Sequence, residues 1–101
     1  MADQIPIHVE LQEGFVADRV EVVIGGERSE FAELSTRNQV GLAEVIDVHV
    51  MAGPIVVRVA LPDRSVEGRS EHRLSREAWL AVNLVAGDVE FRWSDEPFFY
   101  A

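Results

Sequence analysis

Six segments of this chain alternate apolar and polar residues with a period of two, and no segment repeats with comparable clarity at the helical period. The alternation runs through Ile5, Ile7, Val9 and Leu11; Val20, Val22 and Ile24; Ile46, Val48 and Val50; Ile55, Val57, Val59 and Leu61; Leu80, Val82 and Leu84; and Val89, Phe91 and Trp93. Successive side chains of a strand point to opposite faces. These sets therefore line one wall, while Glu10, Glu21, Arg58, Asn83, Glu90 and Arg92 face the other way. The expected fold class is all-β, an antiparallel two-sheet β-sandwich of about seven or eight strands.

A chain of 101 residues is the size of one domain and can bury a two-layer core without staples. The predicted core is Val20, Val22, Ile24, Ile46, Val48, Ile55, Val57, Val59, Leu80, Val82, Leu84, Phe91 and Trp93. Strands are expected over 5–12, 19–24, 30–34, 42–51, 55–61, 69–74, 78–86 and 89–93. Pro6 near the start of the first places that strand at a sheet edge, where a missing N–H is tolerated. Gly25-Gly26 supplies the positive φ angles of a tight hairpin turn, and Phe31 is the inward anchor of the strand that follows. The polar stretch 35–41 reads as a loop or a crossing between sheets. Ala52-Gly53-Pro54 reads as the turn of a second hairpin, with Pro54 ending the ladder, and 62–68 reads as a charged loop. Over 78–86, Ala, Leu and Trp favour a helix and Ser75 could cap one. Ala78 stands where a capping box needs Glu or Gln, however, and Leu80, Val82 and Leu84 keep period two, so a strand is expected.

Eighteen acidic against nine basic residues give a formal charge of −9, which repels phosphate backbones, so nucleic acid is not an expected partner. All nine basic residues are Arg, spread evenly, a pattern of codon bias more than of a recognition surface. With no Cys, disulfides, thiol catalysis and cysteine-ligated metals are excluded, which fits a reducing compartment. No basic cluster precedes the apolar residues of 1–11, and charges interrupt every hydrophobic stretch, so neither a signal peptide nor a membrane span is expected. A cytoplasmic location is the expectation.

The chemistry-bearing residues form no motif. His8, His49 and His72 are far apart in sequence; His49 with Asp47, two apart on one strand face, is a conceivable pair, but outward-facing polar residues are the plainer reading. Glu44 with Asp47, Asp95 with Glu96, and Asp63 with Asp88 lack the spacing of a calcium loop. No Ser lies in G-x-S-x-G, and Gly25-Gly26 lacks the phosphate-loop pattern. The chain is read as a non-enzyme with no metal and no cofactor.

Residues 20–91 resemble the prealbumin-like, carboxypeptidase-regulatory type of sandwich. The resemblance is carried by Val22-Val23-Ile24-Gly25-Gly26-Glu27, by the strand, Gly-Pro turn and strand of 45–59, and by the later pair 79–85 and 89–93. The Gly-Tyr elements of those domains are missing here. The ending Ser94-Asp95-Glu96-Pro97-Phe98 is also similar to that of small uncharacterised bacterial proteins, which implies no activity. Members of the prealbumin-like group are mostly accessory, adhesive or carrier modules, so the resemblance implies binding or scaffolding.

Pro97-Phe98-Phe99-Tyr100 places three aromatics in a row at the end of the chain, where they either fold back on the sandwich or serve as interface anchors. The expected function is a non-catalytic interaction or assembly module that uses an exposed strand edge, with Val9, Val50 or Phe99 beside it, and the aromatics Phe98, Phe99 and Tyr100. Its partner is a protein or a second copy. The alternative is a domain binding a carbohydrate or small polar ligand, with Trp79, opposite in direction to Leu80, as an exposed stacking platform.

Overall fold

The computed structural model describes residues 4–99, which form eight strands. These are β1 (Gln4–Leu11), β2 (Asp18–Ile24), β3 (Glu27–Leu34), β4 (Glu44–Met51), β5 (Gly53–Leu61), β6 (Val66–Leu74), β7 (Ala78–Val85) and β8 (Asp88–Ser94). They make two four-stranded sheets, in the orders β4-β1-β7-β8 and β3-β2-β5-β6, which we call the first and second sheets. All pairings are antiparallel except β1 with β7, which run parallel from Ile7 opposite Ala78 to Leu11 opposite Val82.

The alternating sets become the core. Ile7, Val9, Leu11, Val20, Val22, Ile24, Val57, Val59, Leu61, Leu80 and Val82 are all at most 1% exposed between the sheets. Of the predicted core, Val48, Leu84, Phe91 and Trp93 are only partly buried; β4 and β8 are the edge strands of the first sheet, and Leu84 lies near the end of β7. Phe15 is the largest fully buried side chain and comes from the loop between β1 and β2. Thr36 pins that loop: its hydroxyl donates to the Gln12 carbonyl at 2.6 Å and accepts from the Phe15 N–H at 3.1 Å, and its own N–H donates to the Phe15 carbonyl.

Two tight hairpins form, one at the expected Gly25-Gly26 turn. Gly25-Gly26 joins β2 to β3, and Ala86-Gly87 joins β7 to β8; all four residues have positive φ, as a type I′ turn requires. The segment at 78–86 is a strand, as its period predicts.

Four expectations are corrected. β1 is an interior strand, so Val9 is buried and beside no open edge; Pro6 is tolerated because it precedes the first parallel pair and has only β4 beside it. The β4–Ala52–β5 unit is not a hairpin. β4 belongs to the first sheet and β5 to the second, so the Gly53 corner, at φ +116°, carries the chain from one layer to the other. Pro54 lies inside β5, paired with Arg73, and does not end the ladder. The charged stretch after Leu61 is loop only as far as Ser65: a 3-10 turn over Pro62–Arg64 leads into β6 from Val66. Phe31 is only partly buried, and Leu34 is the buried residue of β3.

At one flank β6 packs against β8. A Cβ at Gly68 would stand 2.6 Å from the Cβ of Val89, so glycine sets how closely these two strands approach. Further along, the His72 ring stacks on Trp93 at 4.3 Å, and the Trp93 indole N–H donates to the Ser70 hydroxyl at 2.9 Å.

Candidate functional site

The outer face of the first sheet carries a row of side chains set by strand register. Asp47 on β4 lies opposite His8 on β1, His8 beside Trp79 on β7, and Trp79 opposite Ser94 on β8. Residues opposed across a ladder project to the same side, so all four point away from the core. Glu77, one residue ahead of β7, completes the group.

The His8 Nδ1–H donates to Asp47 Oδ1 at 2.5 Å and the Nε2–H donates to Glu77 Oε2 at 2.6 Å, while the ring stacks over the Trp79 indole at 5.1 Å. A neutral imidazole has one N–H, so a ring whose two nitrogens both face carboxylates is an imidazolium. Burial is the largest single influence and disfavours that charge. The hydrogen bonds to Glu77 and Asp47, with their negative charges, outweigh it and hold the His8 pKa above 6.5. The indole face adds a cation–π contribution.

Asp47 and Glu77 bond opposite nitrogens of one ring, so they do not converge on a point, and among the described residues no three His, Asp or Glu side chains form a metal-binding group. The row is a charged clasp across three strands. The sequence points to Asp47, but with His49 along the same strand. The structure instead pairs it with His8 across the ladder, 39 residues away in sequence, a relation that no local spacing reveals. His49 and His72 are both exposed, and the His72 ring stacks on Trp93 of β8.

Trp79 is half-exposed on this face, with one ring face covered by His8. Phe98 lies past the end of β8. It is half-buried with the Arg92 guanidinium 5.0 Å over its ring, after a turn in which the Ser94 hydroxyl accepts from the Glu96 N–H at 3.0 Å. Phe99 is 98% exposed, and Tyr100 lies outside the described residues. The proposed carboxylate pairs are not assembled into a shared site; Asp95 instead pairs with Arg76 and Asp63 with Arg19.

Two open grooves flank the sandwich. One of about 530 Å³ lies over β2 and β3, where Arg28 is already paired with Glu21 and Glu30. Another of about 470 Å³ lies beside Trp93, His72 and the Arg76–Asp95 pair.

The four sheet edges differ in how they are protected. On β6, Glu67, Arg69, Glu71 and Arg73 are all exposed; on β8, Asp88, Glu90 and Arg92 are exposed; and β3 carries Glu27, Arg28, Glu30 and Glu33, and its pairing with β2 shifts register between Asp18 and Val20. β4 pairs with β1 in an unbroken register from Met51 to Glu44, contains no Pro, Lys or Arg, carries only Glu44 and the His8-bonded Asp47 as charged residues, and exposes Val45 and Met51.

The fold and these surfaces define a small β-sandwich domain with a charged aromatic clasp on one outer face and, among the described residues, an edge at β4 with fewer charges than the other three. Among the described residues no helix is long and apolar enough to cross a membrane. Neither the protein-family models nor the curated proteins contain a match to this chain.

Proposed function

We propose that this domain is a non-catalytic interaction module that accepts a further β-strand along the free edge of β4. The observation that carries this is the contrast between β4 and the other three edges. A strand of eight residues that is paired on one side only and exposes apolar side chains is a template for strand addition, and folded proteins ordinarily blunt such edges with charge, proline or bulges; here the blunting is limited to Glu44, whose carboxylate accepts from the Val45 N–H at 3.0 Å, and Asp47. Phe99 is a second contact point, but it follows β8 at the opposite edge of the same sheet, so one added strand does not reach both. The prealbumin-like resemblance, with its accessory, adhesive and carrier members, supports the same reading.

The test is binding of a labelled peptide of alternating Val and Thr, together with the solution mass of the chain by light scattering. Peptide binding or self-association that is weakened by Val45→Lys with Met51→Lys supports the reading. A chain that neither binds the peptide nor self-associates overturns it. The same measurements on a chain ending at Glu96 assign the contribution of the tail.

A second reading, a site for a carbohydrate or small polar ligand, draws on Trp79 being half-exposed among Asp47, Glu77 and His8. An indole face bordered by carboxylates matches the stacking and hydrogen bonding of a sugar. In a Trp93→Phe background, a sugar panel that leaves Trp79 emission unchanged removes this reading.

A further inference from the structure

We propose that the strand accepted by β4 is the β4 of a second copy of this chain, paired antiparallel about a two-fold axis that passes between the two Val48 residues. This rests on the strand-edge reading and adds to it the identity of the partner and the register.

The argument is one of pairing geometry. Antiparallel pairing of two identical edges about a two-fold places outward residues opposite outward residues and inward opposite inward. On β4 the outward set is Val45, Asp47, His49 and Met51, and the inward set includes Ile46, Val48 and Val50. Centring the axis on Val48 sets Asp47 opposite His49 of the partner subunit and Val45 opposite Met51 of the partner subunit. On the inner side Ile46 meets Val50 of the partner subunit and the two Val48 residues meet each other.

Every pair in that register is then either apolar with apolar or acid with imidazole. Val45 and Met51, 37% and 55% exposed in the single chain, cover one another. His8 bonds Oδ1 of Asp47, and in this register the second carboxylate oxygen is the acceptor for the partner's imidazole. The neighbouring registers are worse. Centring on Asp47 opposes that carboxylate to itself, and like charges directly opposite are destabilising. Centring on His49 opposes two imidazoles and shortens the overlap. The strand is close to a palindrome in its chemistry, and only one centre satisfies it.

The two first sheets would join into one continuous sheet in the order β8-β7-β1-β4 followed by its mirror order, which covers the least charged edge among the described residues. A strand pair of this length falls in the small, transient interface class, so self-association is to be followed up to about 0.5 mM.

The chain has no cysteine, so single introduced thiols report the register without background. With the axis at Val48, Val48→Cys brings two Cα atoms to about 4.5–5.5 Å, within disulfide range. Asp47→Cys places its two copies about 8 Å or more apart, beyond it. The expected result is a concentration-dependent dimer, a disulfide in Val48→Cys but not in Asp47→Cys, and about tenfold weaker association in His49→Asp. His49 is exposed, so its substitution tests the register even if a cysteine at 48 disturbs packing. A dimer indifferent to His49→Asp and not bridged through position 48 overturns the proposal. So does a chain that stays monomeric; if that monomer still binds the Val-Thr peptide, strand addition survives with a different partner, and if it does not, both readings fail.

Discussion

His8 and Asp47 face each other across the β1–β4 ladder, and the imidazole Nδ1–H donates to Asp47 Oδ1 at 2.5 Å. With Glu77 on the other ring nitrogen, a cation is held between two carboxylates over an indole, and an edge strand is tied to the interior of its sheet.

This clasp makes stability pH-dependent in the neutral to alkaline range. The His8 pKa is raised above 6.5 in the folded chain, so its contribution is complete below 6.5 and is lost as pH rises through the folded value. Urea unfolding from about pH 6 to about pH 9 is expected to show the wild type losing its advantage over His8→Gln as pH rises. An imidazole proton titration with its midpoint at or below the ordinary histidine value would contradict the clasp.

Gly68→Ala is expected to destabilise by about 1–3 kcal/mol, because the new methyl meets the Cβ of Val89, a point fixed by backbone and not by a flexible chain end. Thermal unfolding checks this. A neutral result means that β6 and β8 can separate freely.

Asp18 is buried, accepting from the Val16 N–H at 2.8 Å and from Arg64 Nε and Nη2 at 2.8 and 2.7 Å. Removing the guanidinium strands that carboxylate, so Arg64→Ala should cost about 2–4 kcal/mol. The exposed pair Arg58–Glu67 should behave oppositely, with Glu67→Ala changing stability by no more than about 0.5 kcal/mol. Urea midpoints that rank the two substitutions the other way round would refute this.

Phe15→Ala should cost about 3–5 kcal/mol, since it empties the largest fully buried side-chain volume. Phe99→Ala should leave stability within about 0.5 kcal/mol, its ring being in solvent. A large loss in Phe99→Ala would place that ring inside the fold, where it could not serve as a contact point.

Period-two alternation marked six of the eight strands, because the rule that successive side chains alternate faces operates within a single strand and needs no neighbour; β3 was expected from the Gly25-Gly26 turn before it, and β6, largely polar, only over 69–74. It also resolved 78–86 against its helix-favouring composition, and it located most of the core. Phe15 escaped it because a loop residue has no period; the Thr36 hydroxyl that pins its loop comes from a distant segment.

Which strand neighbours which was decided only in three dimensions. Ala52-Gly53-Pro54 can close a hairpin or turn a corner between layers, and only the competition of whole strands for partners selects the corner. Pro6 suggested an edge, yet β1 is interior because the parallel partner begins one residue later. The same non-local register brings His8 to Asp47, Glu77 and Trp79 and leaves β4 as the exposed edge. By itself the sequence determined the strands and the faces they bury, since these follow from local alternation. Tertiary structure decided the pairing, the edges and the clasp, since these depend on contacts between residues far apart in the chain.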